Sequence, residues 1–186
     1  MDKNCAVTFF PSEHTLMATI DTPRLHMRSI EEKDLSFYTD LFSNAQVLEK
    51  FGLPGINPPL YVKKRVYEWR THWNKKSPYS AFTIFKKEME NPLGYIAAEE
   101  VARSGHIELS IAFMPPFWRQ GFGSEAINAL VNTYLPSTVA KRSLLKEIIA
   151  ITRSDNIASI RLFQKILSEK KPSLSCETEI RFFTSN

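Results

Sequence analysis

The sequence predicts one mixed α/β (α+β) domain built on a single sheet, mostly antiparallel with one parallel crossover. Three features carry that prediction. From Ser80 the hydrophobic period shortens from helical to strand-like. Three strand segments then follow one another with only short turns between them, as antiparallel neighbours do. After them a glycine turn opens a helix that leads into a short apolar strand, which is the connection a parallel pair requires.

In chain order, residues 1–20 have mixed polarity and suggest only a stray strand at "AVTFF". They read as an N-terminal extension to a domain spanning 21–186. "RLHMRSI" alternates Leu25, Met27 and, less cleanly, Ile30 with polar positions, as a half-buried strand does. Ser29 and Glu32 have capping-box spacing ahead of Leu35, Tyr38, Phe42 and Ala45, which recur at helical intervals. Gly52, Pro54, Gly55, Pro58 and Pro59 break the chain into a loop. A second helix is expected from Tyr61 to Asn74, with Val62, Val66, Trp69 and Trp73 on one stripe.

"SAFTIFKK", "PLGYIAAEEVA" and "HIELSIAFM" read as strands joined by turns at "EMENP" and "RSGH". The helix after the glycine turn places Ala126, Ile127, Leu130, Val131 and Tyr134 on its apolar face. "KEIIAIT" is a short buried strand, and "SDNIASIRLFQKIL" a helix with Ser154 or Asp155 as its cap. After "KKPSLS", the tail "CETEIRFF" closes the chain as a final strand.

A hydrophobic share of 43% and a charged share of 24% in 186 residues suit an ordinary globular domain. No apolar run approaches the ~20 residues that cross a bilayer, and "CAVTFF" is too short for a signal-peptide core. Cys5 and Cys176 offer neither metal-ligand spacing nor a disulfide scaffold, which points to a reduced, cytoplasmic setting without a membrane partner. The net charge of +4 and pI near 9.0 would suit an anionic ligand. The lysine pairs are scattered, however, and fit solvated faces better than a nucleic-acid surface. Oligomeric state is not legible.

"GFGSEA" has the spacing G-x-G-x-x-A at the start of a helix. Gly121 and Gly123 permit close backbone approach and positive φ, and free amides with the helix dipole attract phosphate. A nicotinamide cofactor would want the glycines directly after a first strand and an acid at the end of the next one. Here "PPFWRQ" intervenes, and Glu147 stands at the start of its strand. An unliganded tight turn is the plain alternative.

"TPRLHMRSIEEKDL", "NPLGYIAAEE", "IELSIAFMPPFWRQGFGSEAINAL" and "RSDNIASIRLFQKI" stand in the order and spacing of the GNAT superfamily of N-acetyltransferases. From Thr22 to Leu167 the chain most resembles its RimJ/RimL branch of ribosomal-protein N-terminal acetyltransferases. The resemblance implies the GNAT fold, in which a splayed strand pair holds acetyl-CoA, and acetyl transfer to a primary amine without a metal.

It also implies roles for particular residues. The family's pyrophosphate turn, Q/R-x-x-G-x-G/A, matches Trp118 to Gly123, with tryptophan in the first slot as is common in the RimL-like branch. Arg119, Gln120, Gly121, Phe122, Gly123 and Ser124 are thereby cofactor contacts, mainly through backbone, and Ser124 could also cap the helix. Asn156 is implied for the pantetheine arm, where its plain reading is a helix cap, and Ser159 for a place near the thioester. Many members carry a tyrosine seven residues after that asparagine, which protonates the leaving sulfur. Phe163 cannot do so, which leaves Ser159, water, or a chain that binds acyl-CoA with little turnover. The family's Gly-Phe after this helix is replaced by "LSEKKP".

The chemistry so implied is direct attack of an amine on the thioester in a ternary complex. A lysine amine costs roughly 4–5 kcal/mol to deprotonate at pH 7, but an α-amine only about 1 kcal/mol, so a modest base suffices for the latter. Alternation sets Glu108 with His106 and Ser110 opposite Ile107, Leu109 and Ile111, where its plain reading is a solvent-facing glutamate, and the resemblance implies it as the leading base, at the point of the strand that lines the thioester cleft. Glu99 and Glu100 are weaker alternatives. The amide of Phe113 or Met114 would meet the oxyanion. Phe51, Tyr67, Trp69 and Trp73 are candidates for the acceptor wall, with Trp69 and Trp73 read as core. The acceptor is expected to be a protein N-terminus, with a polyamine or aminoglycoside as rival and a non-catalytic acyl-CoA-binding domain as the alternative class.

Overall fold

The computed structural model describes residues 4–51, 56–101, 106–139, 147–167, 169–172 and 179–183. Nine strands form one sheet: β1 (Ala6–Pro11), β2 (Leu16–Asp21), β3 (Leu25–Ser29), β4 (Ala81–Lys86), β5 (Pro92–Glu100), β6 (His106–Phe113), β7 (Glu147–Arg153), β8 (Glu169–Pro172) and β9 (Glu179–Phe183). Their spatial order is β1-β2-β3-β4-β5-β6-β7-β9-β8. Every neighbouring pair is antiparallel except β6 with β7. The single parallel crossover is where the glycine turn and the helix after it predict it.

The helices are α1 (Leu35–Ser43), α2 (Ala45–Phe51), α3 (Pro58–Asn74), α4 (Phe122–Ala129), α5 (Leu135–Val139) and α6 (Ile157–Gln164). On one face α1 and α3 pack against β5, with Tyr38, Trp69 and Tyr95 mutually 5.3–5.6 Å apart between ring centroids. Trp69 and Trp73 are each 1% exposed, which makes them core as expected. α4 and α5 serve the hairpin side, where the Tyr134 ring meets Phe9 and Phe82 at 5.7 and 4.9 Å.

Several local expectations change. The strand suggested at "AVTFF" is β1, and residues 6–21 form a hairpin that lengthens the sheet, turned by Ser12, whose hydroxyl accepts the Thr15 amide at 2.9 Å. Ala18 and Ile20 of β2 are buried in the core. Ser29 does not cap a helix. It ends β3, where its Oγ accepts the Ala18 amide at 2.8 Å. The cap is formed one turn later, where Asp34 accepts the Glu31 amide at 2.9 Å. The first helix divides at Asn44, whose extended ψ breaks it and whose Oδ1 accepts the amides of Gln46 and Val47, so Ala45 opens α2.

Pro58 and Pro59 belong to the first turn of α3 rather than to a loop, behind an Asn57 cap. α4 and α5 are one continuous rod joined by a π turn, Leu130–Tyr134. The wide turn stands just before Pro136, which has no N–H for an ordinary turn and whose ring would crowd the carbonyl four residues back. α6 is capped by Asn156, not by Ser154 or Asp155. "KKP" within "KKPSLS" supplies part of β8, a strand that its charged composition conceals. Cys176 and the glycines at positions 52 and 55 lie outside the described residues, as does most of the "RSGH" turn.

Arg28 and Asp34 tie β3 to the start of α1. Asp34 accepts both guanidinium nitrogens, at 2.8 and 2.6 Å, and the Thr83 hydroxyl at 2.8 Å. Its side chain is 3% exposed. Asp34→Ala strands Arg28 and Thr83 without their acceptor, and should cost roughly 3 kcal/mol or more. The expected readout is a melting temperature lower by roughly 10 °C in calorimetry. A change under 2 °C, on the order of half a kcal/mol, would refute this account of the pair.

Candidate functional site

The parallel pairing of β6 with β7 is short. Register partners run from His106 with Glu147 to Leu109 with Ala150 and then stop, although β6 continues to Phe113 and β7 to Arg153. His106 Nδ1 lies 3.1 Å from a Glu147 carboxylate oxygen and fastens the pair at its closed end. Beyond Leu109 the strands part, and β7 turns its pairing to β9 through Arg153. The splay expected of the fold is therefore a measured break in the ladder.

Which backbone groups face the gap follows from alternation. The Met114 amide donates to the Leu93 carbonyl at 2.9 Å, so Met114 belongs to the residues that bond toward β5. Its neighbour Phe113 then turns its N–H and C=O the other way, toward the splay. Of the two amides expected near an oxyanion, Met114's is already bonded within the sheet, and Phe113's is the one directed at the opening. The Phe113 carbonyl accepts the Trp118 indole N–H at 2.6 Å. Tryptophan in the first slot of the turn thus anchors the turn to the strand end.

The turn itself is left-handed at two points, Arg119 (φ 60°) and Gly121 (φ 81°). Gly121 is the N-cap of α4, so no side-chain oxygen covers the first amides of the helix, and Ser124 is not the cap. The first residues of a helix have no intrahelical acceptor. Among the described residues, the amides of Gly121, Phe122, Gly123 and Ser124 have no protein acceptor either. Four amides at the positive end of a helix dipole form an anion receptor. Gln120 and Arg119 are exposed, and the Gln120 amide Nε2 donates to the Pro116 carbonyl at 2.7 Å.

Gly123 is a packing junction. A Cβ there would stand 3.1 Å from Leu162 Cδ2 of α6 and 3.7 Å from Phe113 Cε2 of β6. The ends of β6, α4 and α6 meet at this point. On α6, Asn156 is 6% exposed; its Oδ1 accepts the Ser159 amide at 3.2 Å and its Nδ2 faces the Lys50 carbonyl at 3.4 Å. Its side chain is used first as a cap and as a link to α2. Ser159 is half-buried beside it. Phe163 is 3% exposed and packs on Phe182 at 5.7 Å, so it serves the core.

Glu108 shares the α1–α3 face with Ser110, on the face expected, and is half-buried. Directly across the ladder stands Glu99. Two carboxylates in that relation lie with Cα atoms about 5.5 Å apart and repel. Arg65 of α3 supplies the countercharge: its Nη2 donates to Glu99 at 2.5 Å and its Nη1 to Glu68 at 3.1 Å, with the guanidinium 4.6 Å over the Trp69 ring. Glu99 is thereby held in an ion pair, and Glu100 is exposed on the other face. Burial pushes the hydroxyls of Tyr95 and Tyr61 above their ordinary value, so neither is a base near neutral pH. Phe51 packs on Phe42 and Tyr95, while Tyr67 is 71% exposed and takes no part in this wall.

Two contacts were not legible in the motifs. Arg65 and Tyr61 look like ordinary helix-surface residues, and only the approach of α3 to β5 assigns them. Arg24, just before β3, reaches the turn: its Nη1 donates to the Gln120 carbonyl at 2.9 Å and its Nε to Glu125 at 2.6 Å. Glu125 also accepts the Thr22 hydroxyl at 2.5 Å and the Arg24 amide at 3.0 Å. Burial works to raise its pKa, and these hydrogen bonds with the Arg24 charge outweigh it and hold Glu125 below the ordinary value. Among the described residues no group of three or more His, Cys, Asp or Glu side chains could hold a metal, and no helix is long and apolar enough to cross a membrane.

Comparison with known proteins agrees with this geometry. Residues 24–166 match the family model described as the acetyltransferase (GNAT) domain. A Bacillus subtilis (strain 168) protein, named as the uncharacterized N-acetyltransferase YoaA, is 28% identical over 164 residues, which cover 82% of this chain and 83% of that protein. Among solved structures, an acetyltransferase from Agrobacterium tumefaciens str. C58 superposes with a TM-score of 0.73 at 17% identity, covering 96% of this chain and 98% of that one. A structure described as RimL, the ribosomal L7/L12 alpha-N-protein acetyltransferase, gives 0.65 at 14% identity, covering 95% and 97%. The domain match across most of the chain establishes that the chain belongs to the GNAT acetyltransferase family and is an N-acetyltransferase of the kind that draws its acyl group from acetyl-CoA.

Proposed function

We propose that this enzyme acetylates the α-amine of a protein N-terminus, as a RimL-like member of the family would. The observation that carries the donor side is the row of four uncovered amides from Gly121 to Ser124, beside the parting of β6 and β7. They receive the diphosphate of acetyl-CoA, with Arg119 and Gln120 at the rim. The acyl arm runs along the splay toward the Phe113 amide, and past Asn156 and Ser159 on α6.

In the ternary complex the acceptor enters from the α1–α3 face. Glu108, directly or through one water, takes a proton from the ammonium. The freed amine nitrogen then attacks the thioester carbon, and the Phe113 amide meets the oxyanion. The C–N bond forms and the C–S bond breaks; the departing thiolate takes a proton from the Ser159 hydroxyl or from water, since Phe163 has none to give, and the surplus proton shed by the new amide nitrogen passes through water to replace it. An α-amine suits this site because it needs only about 1 kcal/mol to deprotonate at pH 7. Glu108 is half-buried on the α1–α3 face beside Ser110, which supports it as the group that accepts that proton.

A peptide and polyamine panel with acetyl-CoA tests the acceptor. Acetylation should appear at peptide N-termini and spare lysine side chains and polyamines; turnover confined to polyamines would transfer the chain to the small-molecule class. Glu108→Gln should lower kcat by roughly 10²–10⁴-fold with CoA affinity unchanged, and unaltered kcat would remove Glu108 as base. Gly123→Val crowds Leu162 and covers the receptor, so CoA affinity measured by calorimetry should fall by more than about 100-fold, or roughly 2.7 kcal/mol. If affinity persists in a folded variant, the diphosphate binds elsewhere.

A further inference from the structure

The anion receptor at α4 is not self-supporting. Arg119 and Gly121 both have left-handed φ, and Arg24 bonds the peptide between Gln120 and Gly121 from outside the turn. A trans peptide points its C=O and N–H in opposite directions. Because the Gln120 carbonyl accepts Arg24 Nη1 at 2.9 Å, the Gly121 amide on the same plane is turned away from Arg24. The guanidinium lies 4.7 Å over the Phe122 ring, and its Nη2 is 3.3 Å from where a Cβ on Gly121 would stand. Arg24 thus backs the turn on the side facing β3.

Arg24 also answers a charge problem. Glu125 places a carboxylate in the first turn of α4, where it competes with any phosphate for the helix dipole and repels it. Both carboxylate oxygens are bonded, one by the Thr22 hydroxyl and the Arg24 amide, the other by Arg24 Nε. We propose that Arg24 is a positioning residue for the acyl donor. By holding the Gln120 carbonyl and the Glu125 carboxylate together, it aims the Gly121 amide and neutralises the competing anion. It thereby sets affinity for the diphosphate of acetyl-CoA without touching the thioester. The proposal rests on the reading of the turn as the diphosphate site.

The test compares acetyl-CoA with acetyl-pantetheine, which carries the same thioester arm but no diphosphate. Wild type should bind acetyl-CoA far more tightly. Arg24→Met should raise Kd and KM for acetyl-CoA by roughly 10- to 30-fold, the loss of a charge-assisted hydrogen bond. It should leave kcat/KM for acetyl-pantetheine within about twofold, since that donor has no diphosphate to place. Arg24→Met combined with Glu125→Gln should recover part of the acetyl-CoA affinity, because no unpaired anion then faces the receptor. Arg24→Lys, which keeps a charge but not the fork, gives a smaller loss confined to acetyl-CoA and serves if the methionine variant fails to fold. Equal losses for both donors, or none for either, would overturn the positioning role. A wild-type protein with no preference for acetyl-CoA would overturn the diphosphate reading and this inference with it, whereas a preference that survives Arg24→Met overturns the inference alone.

Discussion

The ladder between β6 and β7 runs only to Leu109 and Ala150, and the geometry of the site descends from that interruption. Buried backbone N–H and C=O groups need partners, so a sheet does not open in its interior without something to receive the groups it releases. Here β7 is retained by β9, and the end of β6 is retained by β5 through the Met114 amide. Each strand keeps one partner while the space between them is freed. The Trp118 indole caps the Phe113 carbonyl and so carries the chain from the strand end into the left-handed turn. The amide receptor of α4 and the wall offered by α6 follow in sequence from that exit.

Three arginines act in the same way. Arg24, Arg28 and Arg65 each lie over an aromatic ring, Phe122, Phe85 and Trp69, at 4.7, 4.9 and 4.6 Å, and each is bonded to a carboxylate. A planar guanidinium can stack and hydrogen-bond at once, which a lysine cannot. Arg28 joins β3 to the start of α1, Arg65 joins α3 to β5, and Arg24 joins the approach to β3 to the head of α4. The helices on both sides of the sheet are thus fixed to it by charge as well as by apolar packing. In two of the three cases the tethered element carries a part of the site.

The acceptor face illustrates how such a tether shapes chemistry. Glu99 and Glu108 stand opposite each other, and Arg65 of α3 pairs with Glu99 and braces it against Glu68. Tyr95 and Tyr61, which look like alternative acid–base groups, are raised by burial out of the useful range.

The single sheet, the strand trio from Ser80, the parallel crossover and the amphipathic faces of α3 and α4 were legible in the sequence, since each rests on a period or a turn residue that acts locally. The glycine turn and the shared face of His106, Glu108 and Ser110 were legible for the same reason. The N-terminal hairpin was not, because β2 buries a small alanine at position 18 beside Ile20 and its apolar rhythm is faint. β8 was hidden by its lysines. The engagement of Met114's amide and the roles of Arg24 and Arg65 depend on which distant element comes within 3 Å, and no local pattern encodes that distance. Sequence by itself determined the elements and the chemistry available on each face. Tertiary packing alone decided which groups are already bonded to protein and which remain to meet a ligand, because hydrogen bonding between remote residues is settled only once the sheet has closed around its core.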